Sequence, residues 1–139
     1  MRILAVDPGE KRIGLAISDP TGTIANPLTV IRHTSRLNDA TRIAQMVTFH
    51  EVDLIVIGQS LDENGQPTFE GRRTCRFAGV LQTQTDTPII LWDEGFSTQD
   101  ARLARINMNV SRKKRSGHLD ELAATVILQS YLDVQASHI

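Results

Sequence analysis

Three acidic residues stand where the chain could hold a metal ion. Asp7 and Glu94 each follow a short apolar run, and Asp120 lies in the first turn of a helix that is predicted to begin at Leu119. Carboxylate oxygens are the ligands that Mg²⁺ prefers, and no zinc-type set of Cys and His accompanies them. The residue types therefore indicate a hard divalent cation rather than a transition-metal site.

Each carboxylate also has a purely structural interpretation. Asp7 precedes Pro8 and Gly9, and an Asp before such a turn often only satisfies backbone amides. Glu94 could be a solvated loop residue. Asp120 would favour the N-terminus of a helix by about 0.3–1 kcal/mol without any catalytic role. The spacing alone leaves both interpretations open.

The elements that would position these residues follow an α/β pattern, in which short apolar runs alternate with segments of helical periodicity. Three antiparallel strands are predicted first and two further strands later, each of the later two preceded by a helix. The strands are predicted at 2–6, 13–18, 28–32, 54–57 and 89–92, and the helices after a Ser35 cap, over roughly 70–84, after a Ser97 cap and from Leu119. Strands joined by helical crossovers are parallel, so Asp7, the loop at Gly58 and Glu94 should meet at one edge of the sheet.

Basic residues lie beside the acidic ones. Lys11 and Arg12 follow Asp7, and an acid-free stretch before Asp120 contains the basic run Arg112, Lys113, Lys114 and Arg115, while Arg72, Arg73 and Arg76 begin the second helix. Metal-binding carboxylates flanked by positive charge fit phosphodiester chemistry on nucleic acid. A solvated loop is the alternative for residues 112–115. The formal net charge of -1 conceals the fact that acidic and basic residues are grouped in separate parts of the sequence.

Length and composition restrict the class of protein. The 139 residues, 40% of them hydrophobic, predict one domain over 1–139. No run of about 18 apolar residues predicts a membrane span, and no signal-peptide pattern opens the chain. Cys75 is the single cysteine, so no intramolecular disulfide can form, and we expect a cytoplasmic protein.

Aromatic residues are scarce, and Phe96 is the candidate closest to the predicted edge. We therefore do not expect an aromatic platform for single strands. His118 could contact phosphate, bind metal or lie at the surface, and its role stays open.

Three sequence blocks together resemble the YqgF (RuvX) family of the ribonuclease H-like superfamily, whose members are described as Holliday junction resolvases or pre-16S rRNA nucleases. The blocks are Asp7 to Ala16, Trp92 to Thr98, and Ser111 to Gln129. The resemblance implies a ribonuclease H-like fold, a five-stranded mixed sheet flanked by helices. It also implies that Asp7, Glu94 and Asp120 are catalytic and bind one or two Mg²⁺ or Mn²⁺ ions.

The chain departs from the family pattern at two places. Gly58-Gln59-Ser60 replaces a typical Gly-Leu-Pro, and Asp93-Glu94-Gly95-Phe96 replaces Asp-Glu-Arg-Leu, which removes an arginine beside the carboxylate. A guanidinium can hold a phosphate through two hydrogen bonds, so its loss bears on substrate affinity.

The resulting hypothesis is a metal-dependent nuclease that processes the 5′ end of pre-16S rRNA, with Lys11, Arg12 and residues 112–115 holding the nucleic-acid backbone. One alternative is a Holliday junction resolvase, which needs a homodimer, whereas a monomer can trim rRNA. Another is a non-catalytic RNA-binding assembly factor, which Gly95 would favour. Asp7-x-Gly9 also resembles the phosphate loop of actin-like kinases, but 139 residues leave no room for their two lobes.

Overall fold

A five-stranded mixed sheet in the order β3-β2-β1-β4-β5 forms the centre of the protein. The structure is a computed structural model that describes residues 1–95 and 112–137, with side chains in the last helix from residue 122 onward. The strands are β1 (Ile3–Pro8), β2 (Arg12–Ser18), β3 (Ala25–Arg32), β4 (Leu54–Gln59) and β5 (Ile89–Asp93). β1, β2 and β3 pair antiparallel, and β4 pairs parallel with both β1 and β5. The predicted order of the strands along the chain and the mixed five-stranded sheet are confirmed.

Three helices are described, α1 (Arg36–Phe49), α2 (Phe69–Gln82) and α3 (Arg112–Ala136). Ser35 caps α1 as predicted, because its side chain accepts a hydrogen bond from the Asn38 amide. Thr68 caps α2 in the same way through the Gly71 amide. The helix predicted after Ser97 lies outside the described residues.

The start of α3 corrects one prediction. The helix begins at Arg112 rather than at Leu119, so residues 112–115 form its first turn instead of a loop, and Asp120 is not in the first turn. Arg and Lys are good helix formers, and residues 112–119 contain no proline to stop them. Gly117 costs about 1 kcal/mol in a helix, which is too little to outweigh its neighbours.

The strands divide the core into two layers because alternate residues point to opposite faces. Leu4 and Val6 of β1 belong to the cluster under α1 and α2, whereas Ile3 and Ala5 belong to the cluster under α3. The α3 face is closed by Ala124, Ile127, Leu128, Tyr131 and Leu132. Among the described helices, none combines the length and apolar character that a membrane span requires.

Candidate active site

Asp7 and Glu94 lie on the same face of the sheet at its carboxyl edge. Asp7 continues the alternation of Ile3 and Ala5, which face α3, and Glu94 follows Ile90 and Trp92, which pack on the same layer. Val6 pairs with Ile57, and Gly58 pairs with Trp92, so β4 separates the two carboxylates by one strand. The prediction that these two residues and Gly58 meet at one edge is confirmed.

Gly58 leaves open the space between the carboxylates of Asp7 and Glu94. A β-carbon on this residue would lie 2.6 Å from Cδ1 of Ile127 and 3.7 Å from Oε2 of Glu94. Real β-carbons do not approach another carbon to 2.6 Å, so Ile127 occupies the volume that a side chain would need. Glycine therefore lets α3 and the Glu94 carboxylate approach the same point on the sheet.

The backbone fixes the position of Glu94. Its amide donates to the Gln59 carbonyl at 3.0 Å, which carries the β4–β5 pairing one residue beyond the strand. The next turn is closed by the Gly95 amide, which donates to Oδ1 of Asp93 at 2.9 Å. Strand alternation directs Asp93 to the opposite face, so the two adjacent acids do not act at one point.

The surroundings of Glu94 disfavour its charged form. Burial raises the pKa of this carboxyl, and the negative charges of Glu70 and Asp93 raise the pKa further. A half-buried carboxylate among like charges is stabilised when a cation binds beside it. The oxygen donors at this edge thus fit a hard divalent ion.

Two of the three predicted metal ligands are described, and the third is not. The side chain of Asp120 lies outside the described residues, so the predicted triad of Asp7, Glu94 and Asp120 stays a prediction. Among the side chains that the structure describes, no group of three His, Cys, Asp or Glu residues could hold a metal ion.

The structure describes the side chains of only some of the residues that are predicted to bind nucleic acid. Lys11 and Arg12 are exposed in the β1–β2 turn and at the start of β2, next to the carboxyl end of β1. Residues 112–115 begin α3, but their side chains are not described. Arg73 of α2 lies 3.7 Å from Glu10 of the same turn. The structure thus brings Lys11 and Arg12 to the edge that carries Asp7.

Phe69, at the beginning of α2, was missed as part of this region. It is the first residue of the helix and is 64% exposed, and the Arg72 guanidinium lies 5.9 Å from its ring centroid. The sequence predicted the helix to start near Glu70, one residue after Phe69. Its signal was Thr68, a helix cap directly before it.

A cavity lies on the other face of the sheet. It has a volume of about 480 Å³ and lies between the β1–β2 turn, the start of α1 and α2. His33 and Asp39 line it, and Nδ1 of His33 contacts Oδ2 of the buried Asp39. Because Asp7 faces α3, its carboxylate does not point into this cavity.

A sequence-family model described as "Holliday junction resolvase" matches residues 1–134 of the chain. The chain belongs to the RuvX family. Two RuvX relatives carry the name "Putative pre-16S rRNA nuclease". The protein of Thermoanaerobacter pseudethanolicus is 43% identical over 136 residues, covering 97% of this chain and 98% of the relative. That of Desulforamulus reducens is 41% identical over 133 residues, covering 96% and 97%.

Solved structures support the fold. RuvC of T. thermophilus, in complex with its Holliday junction substrate, superposes with a TM-score of 0.59 at 15% identity, covering 96% of both chains. The fowlpox virus resolvase, also solved with Holliday junction DNA, gives a TM-score of 0.60 at 16% identity, covering 97% of this chain and 99% of the other. The ribonuclease H-like fold expected of the RuvX family is confirmed.

Proposed function

We propose that this RuvX protein is a metal-dependent nuclease that processes the 5′ end of pre-16S rRNA. The observation that carries the proposal is the placement of Asp7 and Glu94 on one face at the carboxyl edge, with a pKa of Glu94 raised by burial and by nearby acids. Relatives named for this activity match nearly the whole chain, which favours rRNA processing over the alternatives.

Asp120 is our candidate for the third ligand. Ala124 and Ile127, four and seven residues later, are buried against the sheet. Helical periodicity places residues four and seven apart on one side of a helix, so we expect Asp120 on the side of α3 that faces the sheet. Ile127 contacts the point above Gly58, which brings this helix face to the proposed site.

One or two Mg²⁺ or Mn²⁺ ions, when bound, would supply an activated water and stabilise the leaving oxygen of a phosphodiester. The chain's own contribution is to hold and orient the cation through Asp7, Glu94 and Asp120. Gly58 keeps side chains out of the space between the carboxylates. Lys11, Arg12 and residues 112–115 would offset the charge of the approaching phosphates.

The four-way DNA junction is a second candidate substrate, because the matching family model carries the description "Holliday junction resolvase". Cutting two strands of a junction requires two sites and therefore a homodimer. Trimming an RNA end requires one site, which a monomer supplies.

Cleavage by the wild type and by Asp7→Asn, with and without Mn²⁺, tests the proposal. The substrates are a precursor 16S RNA 5′ end and a four-way DNA junction. We expect Mn²⁺-dependent cleavage of the RNA by the wild type and its loss in Asp7→Asn. Preferred cleavage of the junction would support the resolvase instead. RNA binding without cleavage would contradict the nuclease and indicate an assembly factor.

A further inference from the structure

An exposed phenylalanine stands at the beginning of α2. Phe69 is 64% exposed, whereas Phe77 in the same helix is buried in the core at 5%. The buried stripe of α2 passes through Gly71, Thr74, Phe77 and Leu81, and Phe69 is not part of it. An exposed aromatic side chain that adds nothing to the core and has an arginine beside its ring suits contact with a ligand.

A series of backbone contacts connects Phe69 to the candidate active site. The Gln59 carbonyl accepts the Glu94 amide, and the carbonyl of the next residue, Ser60, accepts the Thr68 amide at 3.1 Å. A β-carbon on Gly71 would lie only 2.2 Å from that Ser60 carbonyl oxygen, so the first turn of α2 packs tightly on the end of β4. Phe69 therefore lies beside the edge that holds Glu94.

The loop before Phe69 is held by its own hydrogen bonds. Oδ1 of Asp62 accepts the amides of Asn64 and Gln66, both at 2.9 Å, and the Asp62 amide donates to the Gln66 carbonyl at 2.7 Å. Leu61 and Pro67 form an antiparallel bridge across the base of the loop. Phe69 is thus presented in a fixed position, which reduces the entropy lost when a ligand binds.

Positive charge accompanies the ring. The Arg72 guanidinium lies 5.9 Å from the Phe69 ring centroid, and its Nη1 donates to the Pro67 carbonyl at 3.2 Å. Arg76, one turn further along α2, is also exposed. An aromatic face next to arginines matches the two parts of a nucleotide, the flat base and the anionic phosphate.

We propose that Phe69, with Arg72 beside it, forms a stacking site for an unpaired nucleobase of the substrate. The proposal rests on the proposed nuclease function and specifies its substrate class as nucleic acid with a single-stranded segment next to the scissile phosphate. A base inside a duplex is already stacked on its neighbours, so the ring selects unpaired bases. The proposal departs from the expectation, drawn from the sequence, that no aromatic platform serves single strands.

Equilibrium binding of the full chain to a short fluorescein-labelled single-stranded RNA, in EDTA to prevent cleavage, tests the stacking site. We expect Phe69→Ala to weaken binding by about 5- to 150-fold, the affinity that one base–aromatic stack supplies. Phe69→Tyr, which keeps the ring, should bind as the wild type does. Affinity for a blunt duplex of the same sequence should change little in either variant.

Phe49→Ala is the matched control. Phe49 is 81% exposed and ends α1, and the neighbouring His50 carbonyl accepts a hydrogen bond from Nη1 of Arg2, at the amino end of the sheet. This exposed ring is therefore remote from Glu94, and its loss should leave RNA affinity unchanged. Equal effects of Phe49→Ala and Phe69→Ala would overturn the proposal.

The experiments distinguish a wrong stacking site from a wrong nuclease function. If Phe69→Ala binds single strands as well as the wild type does, the stacking site is wrong, whether or not the wild type cleaves with Mn²⁺. If Phe69→Ala weakens binding but the wild type does not cleave, the stacking site holds and the nuclease is wrong. If the wild type binds no single-stranded RNA, the stacking proposal is overturned.

Discussion

The Oε2 atom of Glu94 lies 3.7 Å from the point where a β-carbon on Gly58 would stand. A carboxylate directly after β5 therefore leans over the glycine of β4 toward β1, the strand that carries Asp7. The same point is 2.6 Å from Cδ1 of Ile127, so α3 also reaches it. Strand β4 contributes space to the candidate site, and the neighbouring elements contribute the chemical groups.

Gly58→Ala should lower the free energy of unfolding by about 1–3 kcal/mol, the usual cost of overpacking a core. The added methyl group would collide with Cδ1 of Ile127. Ile127→Val deletes that atom, at a cost of about 0.5–1.5 kcal/mol on its own. The double variant should therefore be more stable than the sum of the single effects predicts, as measured by urea unfolding. Strictly additive effects would show that the two residues do not compete for space.

Glu94→Gln should stabilise the metal-free protein at neutral pH. Burial, Glu70 and Asp93 raise the pKa of Glu94, so the folded chain binds this proton more tightly than the unfolded chain does. The favourable contribution is present below the ordinary value of 4.5 and is lost as pH rises through the raised pKa. Glu94→Gln removes that titration. Its free energy of unfolding should therefore exceed that of the wild type only as pH increases.

Unfolding curves in EDTA from acidic to neutral pH measure this difference. Glu63→Gln, in an exposed loop, is the control and should show no such gain. Addition of Mn²⁺ should stabilise the wild type and reverse the order of wild type and Glu94→Gln. A wild type that is more stable than Glu94→Gln at neutral pH in EDTA would contradict the assigned cause of the shift.

Asp39→Ala should destabilise the fold by about 1.5–3 kcal/mol, the usual contribution of a hydrogen bond to a charged group, because alanine cannot accept the hydrogen bonds that converge on this buried carboxylate. Asp39 is fully buried, and its Oδ1 accepts hydrogen bonds from the amide and hydroxyl of Thr34 at 3.1 and 3.2 Å. His33 contacts its other oxygen. Asp133→Ala, an exposed change on α3, should alter stability by no more than about 0.5 kcal/mol. Thermal unfolding measures both changes. Similar losses of stability in the two variants would argue against a stabilising hydrogen-bond network around Asp39.

Affinity for single-stranded RNA should decrease with salt if the basic run at the start of α3 binds phosphates. Three to five contacts predict a slope of log affinity against log salt of about -2 to -3.5. Lys113→Gln combined with Lys114→Gln should reduce the magnitude of that slope by about 1.4. Arg42→Gln, on α1, is the control. A salt-independent affinity would exclude this role for residues 112–115.

Much of the fold could be predicted because apolar runs of strand length mark buried strands. The boundaries were less predictable. β3 begins at Ala25 rather than at residue 28, because Ala25 pairs with Ser18 and an edge strand tolerates Pro27. The start of α3 was placed late because Ser116 and Gly117 suggested a loop, although the residues around them favour a helix.

The candidate site was predictable to a similar extent. The helical crossovers of the predicted α/β pattern placed Asp7 and Glu94 at one edge, since parallel strands end together. The open space at Gly58 was not predictable, because it depends on the distance between α3 and β4. The Thr68 cap could have predicted that α2 starts at Phe69, but not that Phe69 is exposed beside the site. Its exposure and its position beside β4 depend on tertiary contacts through Ser60.

The central claim is that carboxylates on the α3 face of the sheet, and not neighbouring acids on the other face, support metal-dependent cleavage. Single-turnover cleavage of precursor 16S RNA with Mn²⁺ by Glu94→Gln and by Asp93→Asn tests it most directly. Asn at position 93 keeps an oxygen that can accept the Gly95 amide, so the turn is preserved. We predict a loss of about 100-fold or more in Glu94→Gln, because metal ions contribute several kcal/mol to the reaction, and near wild-type rates in Asp93→Asn. Equal rates in the two variants, or a loss confined to Asp93→Asn, would contradict the account.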